Sequence, residues 1–203
     1  MIAIIDYGAG NLFSLASSLK HIGVEAEITD DEAEIIKADR MILPGVGAFG
    51  DAAEALKARG LDEVIKDEAN SGKPLMGICL GMQLLFEKSL EYGEHEGLGL
   101  IHGTVKPLEG YIPEGLKIPQ IGWNSLDFHG EKHKILENVE EGSFVYFVHS
   151  YYGDAVPSEL AATCEYGKTV TACVASGSVV GCQFHPEKSG EVGLSILRSF
   201  CEM

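Results

Sequence analysis

The sequence predicts an α/β fold, one domain over residues 1–203 with a mainly parallel central sheet, flanking helices and additional antiparallel strands. Two observations carry this. Three short runs, Ile2–Ile5, Arg40–Leu43 and Pro74–Ile78, are almost wholly apolar, and each leads through a glycine-bearing loop into helix-forming sequence. Runs without alternation suit strands buried on both faces of a parallel sheet, and repeated strand–loop–helix order implies right-handed crossovers. The chain has 203 residues, 45% of them hydrophobic, which is enough to bury a core without disulfide or metal staples.

Taken in order, the first strand ends at Asp6-Tyr7-Gly8-Ala9-Gly10-Asn11. A helix is expected over residues 11–22, because Leu12, Leu15, Ala16, Leu19 and Ile22 share one face, with Asn11 as N-cap and Gly23 as its end. Residues 24–28 read as the second strand. Arg40–Leu43 is the third and runs into Pro44-Gly45-Val46-Gly47-Ala48-Phe49-Gly50. Helices follow near 51–59 and 61–70, then the strand Pro74–Ile78 and a helix over 80–87. Beyond residue 88 the character changes. Short β-like stretches near 103–107, 123–128, 144–149, 160–166, 169–175 and 178–183 are separated by glycine-bearing turns. The last two read as a hairpin returning to the sheet, before a final helix over 188–201. No internal repeat or interdomain linker is visible.

Composition narrows the function. A net charge of −16 argues against a nucleic-acid-binding surface. The five cysteines include no C-x-x-C pair, so a zinc knuckle or thioredoxin motif is not expected. Cys164, Cys173 and Cys182 recur every nine residues in β-like segments and read as buried free thiols. The N-terminus lacks the charged start and length of a signal peptide, and no apolar run approaches the ~20 residues of a membrane span. The expected compartment is reducing cytoplasm, with no membrane contact. Gly8-Ala9-Gly10 lacks the third glycine of a dinucleotide fingerprint. No phosphate-binding loop and no metal constellation appears, so no cofactor and no metal are expected.

The chemistry converges on Gly77-Ile78-Cys79-Leu80-Gly81. An apolar run ending in a cysteine, with glycine two residues either side and a helix next, has the form of a nucleophile elbow carrying sulfur. The turn is crowded, hence Gly77 and Gly81, and it places the thiol at a helix N-terminus. In an open α/β sheet chemistry collects beyond the carboxyl ends of the strands. Four such ends stand out: Asp6–Asn11, Pro44–Gly47, Cys79 and Phe184-His185-Pro186-Glu187. His185 follows an apolar strand, is constrained by Pro186, and has Glu187 two residues on. In extended chain the two side chains point the same way, so Glu187 can orient His185 as the base for Cys79. The Leu80 N–H and the Pro44–Gly47 loop can supply oxyanion donors. His21, His95, His102, His129 and His133 read as surface residues. The role of His149 stays open between structural, gating and interfacial.

Gly-Ile-Cys-Leu-Gly-Met-Gln at 77–83 and Phe-His-Pro-Glu-Lys at 184–188 resemble the class I, or triad, glutamine amidotransferases, a flavodoxin-like fold family. Asp6-Tyr7-Gly8-Ala9-Gly10-Asn11-Leu12, Pro44-Gly45-Val46-Gly47, Gly122-Trp123-Asn124 and Val148-His149-Ser150-Tyr151 narrow the resemblance to the glutaminase subunits of imidazole glycerol phosphate synthases. The resemblance spans the whole chain. It implies a Cys79–His185–Glu187 triad that hydrolyses L-glutamine through a γ-glutamyl thioester, with an oxyanion hole at Gly47 and Leu80. It implies glutamine binding by Gln83, Glu91, Ser150 and Tyr151. It further implies a heterodimer with a (β/α)8-barrel cyclase subunit that receives the ammonia for histidine biosynthesis, contacted by Asn11, Trp123, Asn124 and Lys188. Where many members carry His-Met, this chain has Gln120-Ile121. The alternatives are a catalytically silent regulatory subunit or a stand-alone cysteine amidohydrolase.

Overall fold

The computed structural model describes residues 1–203. The elements in chain order are β1 (Ile2–Ile5), α1 (Leu12–His21), β2 (Ala26–Thr29), α2 (Glu32–Lys37), β3 (Arg40–Gly45), α3 (Phe49–Ala58), α4 (Leu61–Asn70), β4 (Leu75–Cys79) and α5 (Leu80–Leu84). Then come β5 (Phe86–Ser89), β6 (His95–Glu96), β7 (Ile101–Pro107), β8 (Gln120–Ser125), β9 (Asp127–Phe128), β10 (Phe144–His149) and β11 (Tyr151–Ala155). The chain closes with β12 (Leu160–Glu165), β13 (Thr169–Ser176), β14 (Val179–Cys182) and α6 (Gly190–Cys201).

The unalternated runs lie side by side in an eight-stranded sheet of order β2-β1-β3-β4-β14-β13-β12-β9. Its first five strands are parallel, and the other three continue it antiparallel. β1 shows why alternation is missing. Ile2 and Ile4 enter a core with Leu15 and Leu19 of α1 and Phe200 of α6, while Ala3 and Ile5 enter a second core with Ile35, Phe49 and Ile65 on the other face. Each large side chain so buried contributes roughly 1.5–3 kcal/mol. Two smaller sheets, β10-β8 and β11-β7-β5-β6, flank the main one. The β13–β14 hairpin forms as expected, and β14 then pairs parallel with β4. This puts the chain end leading to His185 next to the strand that ends in Cys79.

Several elements differ from the sequence reading. α2 was not anticipated; Asp31 caps it by accepting hydrogen bonds from the N–H groups of Ala33 and Glu34. Asn11 holds the N-cap position of α1 but makes no side-chain cap bond. α5 stops at Leu84 rather than continuing to residue 87, because backbone carbonyls from Leu84 to Glu87 accept from Gly97, Leu98, Gly99, Leu100 and Ile101, turning the chain into β5. Strands β5, β6 and β11 were likewise not read from the sequence. His95 and His133 are half-buried rather than on the surface. Cys164, Cys173 and Cys182 are buried free thiols on β12, β13 and β14, with Cys173 directly opposite Cys182. No helix is long and apolar enough to cross a membrane.

Candidate active site

β4 delivers Cys79 at φ 55 and ψ −110, and α5 begins at the next residue. Such a conformation in a residue with a side chain costs roughly 1–3 kcal/mol and persists only where the surroundings enforce it. The enforcement is visible in the glycines. A Cβ on Gly81 would lie 1.8 Å from the Leu43 carbonyl oxygen, and one on Gly77 would lie 2.6 Å from the Gly81 carbonyl oxygen. Gly45, opposite Cys79 on β3, is equally tight, since a Cβ there would meet the Tyr7 hydroxyl at 2.6 Å and the Gly81 nitrogen at 2.8 Å. The Tyr7 hydroxyl is buried without a hydrogen-bond partner. Burial, and secondarily the charge of Cys79, push its ionisation well above the ordinary tyrosine value.

His185 and Glu187 meet as expected, by a different local route. The chain between them is not extended; His185 precedes a 3₁₀ turn over Pro186–Lys188, and the turn brings the Glu187 carboxylate back to the ring. His185 Nδ1 lies 2.9 Å from Glu187 Oε1, and both side chains are almost fully buried. Nδ1 donates to this carboxylate, which leaves Nε2 facing the Cys79 sulfur without another partner. Burial alone would lower the His185 pKa. The Cys79 sulfur and the Glu187 carboxylate outweigh it and raise the pKa from 6.5 to about 9. A buried imidazolium held by the Glu187 carboxylate can stabilise a thiolate and later protonate a leaving amine.

A cavity of about 300 Å³ opens over this group. Val46, Gly47 and Leu80 line it beside Cys79 and His185, and Gln83, Glu91, Ser150 and Tyr151 line the rest. Gly47 has φ 104, a conformation available to glycine. Glu91 Oε2 accepts from the Phe49 N–H at the start of α3 at 2.6 Å. Gln83 Nε2 donates to the Tyr151 carbonyl at 3.1 Å and to Gln183 Oε1 at 3.0 Å, so Gln83 keeps only its oxygen for a ligand. His149 belongs to the same frame, its Nδ1 2.8 Å from the Tyr151 carbonyl and its Nε2 against Gln120 at 3.1 Å. Burial lowers the His149 pKa to about 4, only partly opposed by that carbonyl. Burial thus favours the neutral ring, which, donating from Nδ1 to the carbonyl, would need the Gln120 amide turned to present its nitrogen to Nε2. A larger cavity of about 390 Å³, between α3, α4 and residues 94–98, contains none of these groups. No cluster of side chains suited to a metal ion is present.

The residues assigned by resemblance to a partner face divide in two. Lys188 and Trp123 are exposed on the side of the molecule that carries the triad, and Trp123 packs edge-on against Tyr146, whose carbonyl accepts from the His185 N–H. Asn124, by contrast, spends its amide within the chain, donating to the Glu165 carbonyl and accepting from the Ser125 N–H. Asn11 lines a small void of about 10 Å³ behind the triad, shared with His185 and Glu187.

Sequence reasoning missed two residues. Tyr7 lay in a loop read only for its glycines. Gln183 is completely buried and donates to the Cys79 sulfur at 3.9 Å. Its signal was present, a lone polar residue within the apolar run Val179-Val180-Gly181-Cys182-Gln183-Phe184.

The family model for "Glutamine amidotransferase class-I" matches residues 3–203. The chain belongs to the class I glutamine amidotransferase family. Its activity is accordingly that of a glutamine amidotransferase. Among curated relatives, the imidazole glycerol phosphate synthase subunit HisH of Bacillus cytotoxicus is 52% identical over 200 residues, covering 98% of this chain and 93% of its own. The HisH subunit of Oceanobacillus iheyensis is 48% identical over 204 residues, covering 100% and 99%. Among solved structures, one described as a glutamine amidotransferase superposes with a TM-score of 0.77 at 18% identity, over 100% of this chain and 98% of that one. The structure of PurLQS from Thermotoga maritima gives 0.75 at 22% identity, over 99% and 97%. At such identities the structural matches speak for the fold.

Proposed function

We propose that residues 1–203 form one glutaminase domain that releases ammonia from L-glutamine at Cys79 and delivers it to a (β/α)8-barrel cyclase subunit in L-histidine biosynthesis. The observation that carries the reading is the buried His185–Glu187 pair, 2.9 Å apart, in front of a cysteine held on a strained elbow. The Cys79 thiolate attacks the side-chain amide carbon of glutamine. The oxygen of the tetrahedral intermediate is stabilised by the Leu80 N–H and the Gly47 region, a type of donor whose single loss costs about 2.7–4 kcal/mol of barrier. His185 hands its proton to the leaving nitrogen, so ammonia departs and a γ-glutamyl thioester remains. His185, now neutral, takes a proton from water, which attacks the thioester, and glutamate leaves with the thiolate restored. Gln83 through its oxygen, Glu91, Ser150 and Tyr151 hold the amino-acid end of the substrate.

The partner assignment rests on the HisH relatives, named as subunits of imidazole glycerol phosphate synthase. It also rests on exposed apolar side chains such as Phe13 (82% exposed) on α1 and Ile121 (62%), which shares β8 with Trp123. The cyclase would combine the ammonia with its phosphoribulosyl-formimino-carboxamide ribotide substrate, forming imidazole glycerol phosphate and aminoimidazole carboxamide ribotide. Five unpaired cysteines suit a cytoplasmic setting.

The test is Cys79→Ala in the reconstituted heterodimer. Glutamine-dependent synthesis is expected to vanish while synthesis from added ammonium salt continues. Undiminished glutamine turnover would reject Cys79 as nucleophile. Full turnover by the isolated chain, without any barrel subunit, would reject the coupled assembly.

A further inference from the structure

We propose that Gln183 is a catalytic residue whose side-chain amide donates a hydrogen bond to the Cys79 sulfur and stabilises the thiolate. The proposal rests on the reading of Cys79 as the nucleophile.

The orientation of the amide follows from a chain of contacts that starts at a group with only one possible role. The Tyr151 carbonyl oxygen can only accept. Gln83 must therefore turn its Nε2 towards that oxygen, at 3.1 Å. The same Nε2 donates its second hydrogen at 3.0 Å, so the Gln183 atom it meets is Oε1. Gln183 Nε2 is then the atom left facing Cys79 Sγ, at 3.9 Å. No other side chain takes that N–H, and Gln183 is completely buried, so water does not compete for it. A wholly buried amide without function would be a poor choice in an apolar strand end.

The surroundings of the sulfur give this donor its purpose. In the thiol form Cys79 donates to the Val148 carbonyl at 3.8 Å. Once the proton has gone, that carbonyl faces a negative sulfur and no longer helps. The groups that can answer the charge are the His185 imidazolium and the Gln183 N–H. Hydrogen bonds to charged groups are shorter and about twice as strong as neutral ones, so the Gln183 contact tightens on ionisation. The route also links the pocket to the nucleophile. Gln83 lines the glutamine cavity and holds Gln183 by its oxygen, so displacement of Gln83 frees the amide that faces the sulfur.

Gln183→Met keeps the length of the side chain and removes the donor. The full chain is treated with iodoacetamide across the neutral and alkaline range, and modification of the Cys79 peptide is followed by mass. The pH midpoint of alkylation is expected to rise by about one unit, a tenfold smaller thiolate fraction near neutrality and a reaction there about three- to fourfold slower. The limiting rate at high pH should rise by about threefold, because a thiolate of higher pKa is the stronger nucleophile, a combination that simple loss of packing does not produce. Gln83→Met should move the midpoint the same way by a smaller amount. A Gln183→Met profile that superimposes on the wild type overturns the proposal. A second measurement needs no variant: in the ¹⁵N-labelled wild-type chain the Gln183 side-chain amide resonances should titrate with the alkylation midpoint and move when Cys79 is alkylated. An insensitive amide overturns the proposal as well. Failure of the nucleophile reading itself would show differently, as glutamine turnover surviving in Cys79→Ala.

Discussion

Replacing Glu187 by Gln preserves the shape of the partner behind His185 and removes its charge. The contact is short, 2.9 Å, and the side chains are 3% and 2% exposed, so solvent screens it little. A hydrogen bond to a charged group contributes about 1.5–3 kcal/mol and a neutral one about 0.5–1.5, a loss of roughly 1–1.5 kcal/mol, or about one pKa unit on His185. The His185 pKa is raised to about 9, with burial pulling down and Cys79 and Glu187 pulling up. In Glu187→Gln the burial stays and one of the upward pulls goes. On the proposed mechanism, in which a protonated His185 releases the ammonia, the alkaline limb of the glutaminase pH–rate profile should therefore move down by about one unit. Stability follows the same sign. A histidine whose folded pKa lies above its unfolded value stabilises fully below 6.5 and loses that contribution as pH rises through about 9. The variant should lose it at lower pH. The new amide also places a donor where Glu187 Oε2 has no partner, at a cost of about 1–3 kcal/mol. The assays are turnover against pH in the presence of the proposed cyclase subunit and urea unfolding at several pH values. An alkaline limb still near 9 in Glu187→Gln would refute the claim that the Glu187 charge holds the His185 proton.

Acidification should act through His149. Its folded pKa of about 4 lies below the unfolded value of 6.5, so between those values the unfolded chain binds more protons and stability falls as pH falls, by up to ~3 kcal/mol. His149→Gln should flatten that dependence in urea unfolding; an unchanged slope would assign it to other groups. Gly81→Ala puts a methyl 1.8 Å from the Leu43 carbonyl oxygen, so backbone must move. A displacement of ~1 Å at the nucleophile is expected to cost about 100-fold in activity. Gly99→Ala meets open space but sits at φ 67, so it should cost about 1–2 kcal/mol of stability yet retain activity in the folded chain, and equal losses of activity in both would remove the elbow argument.

The parallel block of the fold was legible because its strands are buried on both faces, which leaves an unmistakable apolar run. Strands β5, β6 and β11 carry no such pattern. Phe86–Ser89 continues a helical periodicity and becomes a strand because β6 and β7 pair with it and the Gly97 and Gly99 N–H groups donate to the Glu87 and Phe86 carbonyls. The short α2 was legible in principle from Asp31 as a cap before Glu32-Ala33-Glu34, but its six residues are too few for periodicity to register.

The site divides in the same way. Residue types and spacing alone marked Cys79 between Gly77 and Gly81, and His185 with Glu187, as candidates, because elbow sterics and imidazole orientation constrain neighbours close in the chain. Only the tertiary structure decided that these two segments meet, through the parallel pairing of β14 with β4. It also decided that His185 reaches Glu187 across a 3₁₀ turn, that His149 is buried, and that Gln83 and Gln183 join the Tyr151 carbonyl to the Cys79 sulfur. Those contacts join residues up to 104 positions apart. Hydrogen-bond direction and burial between such distant residues depend on where the sheet brings the chain, and local sequence carries no record of it.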